Sequence, residues 1–144
     1  MRLFLAALLI VLTAPAVHAQ TLLEWDVLEA AQIVPARNGG WAVRHPMIAV
    51  RAEGETVRVT GHMVPLETGR RVTRFAVSRM TAEECYYCMP GPTSFVEVTT
   101  TRPVDLTTGF VTVTGRLSLP SRGRTYEGGT IYRLDNARLT RSRG

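Results

Sequence analysis

The sequence predicts an all-β protein, a small five-stranded barrel of the partly open OB type with a short N-terminal helix. From residue 53 onward, runs of Val, Thr and aromatic residues alternate with turn signals at intervals of about ten residues. Two of these runs, 57–61 and 111–115, share the pattern Val-x-Val-Thr-Gly. A glycine inside a strand indicates a bulge or bend where a sheet curls over. A β-sandwich is the alternative, because periodicity alone does not separate the two folds.

The five strands are predicted from the alternation of apolar and polar residues. In the clearest strand, 55–64, every second residue from Val57 to Met63 points one way, whereas His62 points the other way. Met63 is therefore predicted to lie in the core. The remaining strands are predicted at residues 71–79, 93–101, 109–120 and 128–140.

Two helical segments are predicted outside the strands. Residues 20–33 lack Gly and Pro, and their apolar residues recur at helical spacing, which predicts a short amphipathic helix. Between the second and third strands, Thr81 and Glu84 have the spacing of a capping box, and Pro90 limits the helix that follows to about two turns. The residues expected on the apolar face of the first helix are Leu22, Trp25, Leu28 and Ala31.

The N-terminal segment predicts export. A basic second residue, an apolar run too short to cross a membrane and small residues after it are typical of a signal peptide, here residues 1–19. We place cleavage between Ala19 and Gln20, and no cysteine lies near the cut to carry a lipid anchor. The mature protein is expected to be periplasmic or secreted, without a stable membrane anchor. It divides into an N-terminal helix and lead-in segment, 20–52, and an OB-like barrel domain, 53–144.

The charge of the chain does not predict nucleic-acid binding. Its 17 basic residues are all arginine, against 12 acidic residues, and loss of Arg2 with the signal peptide lowers the net charge from +5 to +4. The arginines are scattered, and Phe75, Phe95 and Phe110 lie in registers typical of core residues, not of an aromatic binding face. Tyr132 and three other tyrosines are candidates for an exposed contact patch. Without a phosphate-binding loop or a hydrolase motif, no enzymatic activity is predicted.

Two cysteines, Cys85 and Cys88, lie in an acidic segment that ends in a Pro-Gly-Pro turn. A disulfide between them is compatible with export, but it would close so short a loop that it would stabilise the fold by roughly 2 kcal/mol. Thiol redox catalysis is not favoured, since Glu83 and Glu84 oppose a thiolate and no βαβ unit surrounds the pair. Haem attachment is excluded because Met89, not His, follows the second cysteine.

Metal binding explains more of the local chemistry. One helical turn would bring both sulfur atoms to one face, and two thiolates suit zinc or copper(I). Two ligands do not complete a zinc site. The predicted metal ligands are therefore Cys85, Cys88, Met89 and His62, with His45 as the other candidate histidine. A disulfide between the cysteines, with no cofactor, is the alternative.

The sequence also carries a family resemblance. The stretches EGETVRVTGHMVPL and RFAVSR, then the cysteine motif and GPTSFVEV, resemble a family of bacterial secreted proteins and lipoproteins of unknown function, the DUF3299 type. The resemblance covers about residues 53–120, and its most specific part is Gly-x-Met-Val-Pro-Leu at 61–66. Some members lie beside zinc-responsive ABC-type transport systems, so the resemblance implies metal handling at the envelope. His62 stands where many relatives have Tyr, so the resemblance assigns no metal role to it.

These observations predict an exported, non-enzymatic accessory protein that binds zinc or copper(I) through its Cys-x-x-Cys turn. Its expected partner is an envelope protein, with an ABC-type transport system as the candidate that the resemblance implies. The alternative is a non-catalytic interaction module whose two cysteines form a disulfide.

Overall fold

The computed structural model describes residues 20–37, 39–81, 83–84, 91–120 and 129–141. Within these ranges the chain forms strands, two short helices and a single 3-10 turn at Pro92–Ser94. The helices are α1 (Trp25–Glu29) and α2 (Met47–Ala52). The strands are β1 (Thr21–Leu22), β2 (Gln32–Pro35), β3 (Trp41–Arg44), β4 (Thr56–Pro65), β5 (Arg71–Ser78), β6 (Phe95–Asp105), β7 (Phe110–Ser118) and β8 (Arg133–Arg141).

Five strands form a closed barrel. Their order is β4-β5-β6-β8-β7, and β7 pairs back onto β4. The β6–β8 pair is parallel and the other pairs are antiparallel. The predicted all-β fold with a five-stranded OB-like barrel is confirmed. The barrel was expected to be partly open, but β4 and β7 pair from Thr56 to His62 and close it.

The two Val-x-Val-Thr-Gly segments are partners in this closure. They run antiparallel about the pair Val59 and Val113, so that the glycine of each segment lies opposite a valine of the other. The valines of both segments are fully buried in the barrel core. Met63 continues the same inward face of β4, as predicted from the alternation.

The glycines of these segments lie where the strands change partners or register. β4 pairs with β7 as far as His62 and with β5 from His62 onward. A Cβ on Gly61 would collide with the Ser78 carbonyl oxygen and would lie 2.8 Å from a methyl carbon of Val77. The β7–β8 register shifts at Gly115, where a Cβ would lie 2.9 Å from that of Ala137. The predicted irregularity is confirmed at Gly115, whereas β4 pairs through Gly61 without a register shift. At both positions space, not torsion, requires glycine.

The N-terminal segment is helical over a shorter stretch than predicted. Thr21 and Leu22 instead form β1, which pairs in parallel with β4, and the Leu23 N–H donates to the Arg58 carbonyl oxygen at 2.9 Å. Leu23 is therefore buried at 2% exposure, whereas Leu22, predicted on the buried face, is 43% exposed. The prediction for Leu22 was wrong because β5 leaves an edge of β4 open, and this segment fills that edge as a strand.

A hairpin and a second helix occupy the rest of the segment before the barrel. β2 and β3 form an antiparallel hairpin separate from the barrel sheet, with Ile33 opposite Val43. The chain reverses near Gly39, whose φ of 80° would strain a residue with a side chain. α2 then packs its two alanines against the barrel core. Neither helix in the described ranges is long and apolar enough to cross a membrane.

Aromatic residues depart from two of the expectations. Phe75 is fully buried as predicted and Phe95 is half-buried, but Phe110 is 46% exposed, so its assignment to the core was wrong. Phe110 begins β7 on the outward side of the barrel. Tyr132, a candidate for an exposed patch, is fully buried; its hydroxyl donates to the Leu28 carbonyl oxygen at 2.9 Å, and burial raises its pKa. The tyrosine thereby ties α1 to the barrel.

The substitution Gly61→Ala should destabilise the protein by about 2 kcal/mol or more, because the added methyl group meets backbone that cannot move without breaking the β4–β5 pairing. Gly40→Ala is the matched control, since no heavy atom lies within 4 Å of its Cβ position. It should change stability by less than about 0.5 kcal/mol. Urea denaturation of both variants measures the difference, and equal midpoints would contradict the steric argument.

Candidate functional site

His62 lies on the outward face of β4, at the point where this strand passes from one partner to the next. Its backbone pairs with Phe110 on one side and with Ser78 on the other. The imidazole meets the Phe110 ring edge to face, with 4.8 Å between ring centroids and 84° between ring planes. Its Nδ1 atom is buried and has no hydrogen-bond partner among the described residues. A shielded, unpaired ring nitrogen on a half-buried histidine is uncommon in folded proteins.

A cavity of about 490 Å³ opens beside this histidine. Its wall combines the end of β4 with the segment that follows β5, so it lies at one end of the barrel. Two thioethers border it: Met63 is almost fully buried, and Met80 is 40% exposed. The described lining residues are His62, Met63, Val64, Pro65, Met80, Thr81, Glu83 and Thr108.

The segment after the cavity begins with the predicted capping box. The Thr81 N–H donates to the Glu84 carboxylate at 2.9 Å, and the Glu84 N–H donates to the Thr81 hydroxyl at 3.1 Å. The bonds from Thr81 hold the pKa of the Glu84 carboxyl below its usual value, and a positive charge on His62 lowers it further. The hydrogen bonds of the capping box therefore favour the ionised form of Glu84.

The predicted metal ligands divide between described and undescribed parts of the chain. His62 is described, and the structure puts it at the cavity. Cys85, Cys88 and Met89 lie outside the described residues, as does the body of the helix predicted after Thr81. Within the described ranges, no cluster of three or more His, Cys, Asp or Glu side chains could hold a metal ion.

His45 has a different environment. It follows β3, and its ring lies edge-on to the buried Tyr132 ring, with 5.0 Å between centroids. Both of its ring nitrogens are buried without a hydrogen-bond partner among the described residues. Burial lowers the pKa of His45, and the carboxylate of Glu53 opposes this shift in part. His45 does not line the cavity beside His62, so the two candidate histidines do not form one site.

A second cavity, of about 550 Å³, lies where β7 and β8 approach the end of α2. It contains more charged groups than the first, but three of them, Arg116, Arg133 and Asp135, bind one another or the backbone. The Arg133 Nε atom lies 2.7 Å from a carboxylate oxygen of Asp135, and the Arg116 Nε–H donates to the Gly54 carbonyl oxygen at 3.1 Å. The side chains at this cavity therefore have a structural explanation, and the site beside His62 is the better functional candidate.

Two residues of the candidate site were missed or misassigned from the sequence. Phe110 was assigned to the core, and Thr108, which borders the cavity, was not singled out. A signal for Phe110 existed, since antiparallel pairing of the repeated segments about Val59 and Val113 brings position 110 opposite His62. No local pattern indicated Thr108, because it comes from the turn before β7.

Comparison with known proteins supports the fold. No family model matches the chain, and no curated protein matches it. Among solved structures, the chain is similar to the crystal structure of a DUF3299 family protein from Pseudomonas aeruginosa PAO1, with a TM-score of 0.55, 17% identity, and coverage of 88% of this chain and 99% of that chain. The predicted resemblance to the DUF3299 type is confirmed at the level of the fold. At this identity the DUF3299 likeness concerns the fold alone and supplies no activity.

The buried state of His45 predicts a pH-dependent stability. Because the folded chain holds its pKa below the ordinary value of 6.5, the unfolded chain takes up the proton first as the pH falls. At pH 7.5 the imidazole is neutral in the unfolded chain as well, so the titration of His45 should not affect stability there. As the pH falls below 6.5, proton uptake by the unfolded chain should lower the free energy of unfolding. His45→Phe keeps an aromatic ring against Tyr132 without the titration, so its unfolding free energy should fall less between pH 7.5 and 5.5. Parallel pH curves for the two proteins, or an imidazole pKa of 6.5 or above by NMR, would contradict the burial argument.

Proposed function

We propose that the protein is exported and binds one zinc or copper(I) ion at the end of the barrel beside His62. It would act as a non-catalytic accessory protein to an envelope transport system of the ABC type. The observation that carries the proposal is the His62 imidazole, whose buried Nδ1 atom has no hydrogen-bond partner among the described residues and borders a cavity. A neutral imidazole nitrogen is a common ligand for zinc and copper.

The electrostatics of the cavity favour a cation. Glu83 borders the cavity, and the capping box favours the ionised form of Glu84, the next residue in the chain. Both carboxylates would raise the local concentration of a metal ion and stabilise its positive charge. The same carboxylates oppose a nucleophilic thiolate, which supports a binding role over thiol catalysis.

The remaining ligands would come from the segment that continues this chain. Cys85 and Cys88 follow Glu84 by one and four residues, and Met89 follows directly after the second cysteine. In the sequence, Cys85 is two residues from Glu83, which borders the cavity. Two thiolates, an imidazole and a thioether form a soft ligand set that suits copper(I), whereas the same set without the thioether suits zinc with one open position.

Native mass spectrometry of the protein from the periplasm tests the proposal. With a phosphine reductant and supplied zinc or copper(I), the wild type should carry one metal ion per chain. The mass of its polypeptide should be that of a chain whose first residue is Gln20. Cys85→Ser with Cys88→Ser should abolish metal uptake while lowering stability by at most roughly 2 kcal/mol, the contribution of a lost disulfide. His62→Gln should weaken metal binding, and His45→Gln is the matched control that should not.

Two outcomes would contradict the metal site. One is a double cysteine variant that binds metal as well as the wild type and merely unfolds more readily. The other is an unreduced wild type that lacks about two daltons and that takes up no metal after reduction. Either result would favour the alternative, an interaction module with a disulfide between Cys85 and Cys88.

A further inference from the structure

An apolar surface on the N-terminal hairpin and helix is not explained by the metal site. In the β2–β3 hairpin, Ile33 and Pro35 lie opposite Val43 and Trp41, and alternation puts these four side chains on one face. The face begins against the core at Val43 and extends to Trp41, which is 65% exposed. A tryptophan with this much exposed surface is costly to leave in water.

The helix that follows also exposes apolar side chains. Two residues separate β3 from α2, and this helix buries its alanines while exposing its larger apolar side chains. Met47 is 62% exposed and Ile48 is 56% exposed. We define the hairpin–helix surface by its five exposed large apolar residues, which are Ile33, Trp41, Met47, Ile48 and Val50.

The charge of the segment that carries this surface is mainly positive. Residues 30–52 contain three arginines, Arg37, Arg44 and Arg51, and no Asp or Glu, although the chain has 12 acidic residues elsewhere. All three arginines are exposed. Glu53, which is also exposed, follows α2 directly, so residues 30–53 have a net charge of +2. The hairpin–helix surface therefore combines apolar side chains with a net positive charge.

We infer that the hairpin–helix surface docks reversibly on an anionic lipid bilayer. Tryptophan and aliphatic side chains enter the boundary between headgroups and acyl chains, while arginines bind lipid phosphates. A second copy of the chain fits less well, because two surfaces of net positive charge would repel each other. A protein partner usually presents a rim of both charges with frequent hydrogen bonds, whereas this surface offers cations and hydrocarbon. The inference does not depend on the metal site.

Sedimentation with lipid vesicles tests the inference on the full chain as purified. Binding to phosphatidylglycerol vesicles should be at least about tenfold stronger than to phosphatidylcholine vesicles, and added salt should weaken it. Arg44→Gln with Arg51→Gln should reduce binding by about fivefold for each arginine. Trp41→Ser with Ile48→Ser should reduce it at least as much.

Matched controls separate the surface from general effects. Phe110→Ser removes an exposed aromatic residue elsewhere, and Arg58→Gln removes an exposed arginine of the barrel, so neither should change vesicle binding. All variants carry the same N-terminus, so a retained apolar leader would affect them equally. Circular dichroism melts that match the wild type show that each variant is folded.

Tryptophan fluorescence gives a second readout that depends on position. On anionic vesicles the emission should shift to the blue as Trp41 leaves water, and Trp41→Phe should abolish the shift. Trp25 supplies a constant background, because its indole N–H is already bonded to the Thr60 carbonyl oxygen at 2.8 Å.

Three outcomes would each overturn the inference: equal binding to both vesicle types, surface variants that bind like the wild type, or no vesicle binding. Cross-linking of Trp41 to an envelope protein without vesicle binding would assign the surface to a protein partner instead.

Discussion

The architecture depends on a close approach of two backbones at Gly61. Here β4 leaves β7 and continues beside β5, and the Ser78 carbonyl oxygen occupies the space that a side chain would need. Trp25 of α1 packs over the same point, 3.1 Å from the Cβ position, and its indole N–H bonds to the neighbouring Thr60 carbonyl oxygen. Barrel closure and the attachment of the N-terminal helix therefore both depend on Gly61, because it has no side chain.

The candidate site follows from this junction. His62 is the next residue of β4, and its backbone pairs with strands on both sides. Its ring packs edge to face against Phe110, and its Nδ1 atom is buried. Three residues after the end of β5, the capping box at Thr81 begins an acidic segment, and Glu83 of this segment borders the same cavity as His62. A histidine and an acidic residue therefore border one cavity, and the two cysteines follow this acidic segment in the sequence. This proximity gives the proposed metal site its physical basis.

The N-terminal layer is held by a different set of contacts. Tyr132 of the segment before β8 is buried, with its hydroxyl bonded to the Leu28 carbonyl oxygen and its ring against His45. These contacts attach α1 and the loop before α2 to the barrel, while the larger side chains of α2 stay exposed. The hairpin–helix surface and the His62 cavity are consequently built from different elements. A lipid-facing surface and a metal site can coexist on this chain because neither uses the residues of the other.

Local patterns were sufficient for the five barrel strands, the inward face of β4 and the capping box at Thr81, because alternation and cap chemistry involve residues close in sequence. They also indicated both strand glycines, Gly61 and Gly115, since a glycine interrupts the pattern where it stands. The candidate site was predicted in part: His62 lies at a cavity, whereas Cys85, Cys88 and Met89 remain predictions outside the described residues.

Tertiary structure decided which apolar residues are covered. Leu22 and Leu23 are equally apolar, but the open edge of β4 captures the segment as a strand and buries the second of them. Phe110 and Tyr132 exchanged their expected environments because burial depends on the element that packs over a residue, not on the residue itself. Strand pairing and burial bring together residues that are far apart in the chain. The sequence by itself therefore determined where the strands lie, whereas the tertiary structure of the barrel determined which strands pair and which residues are buried.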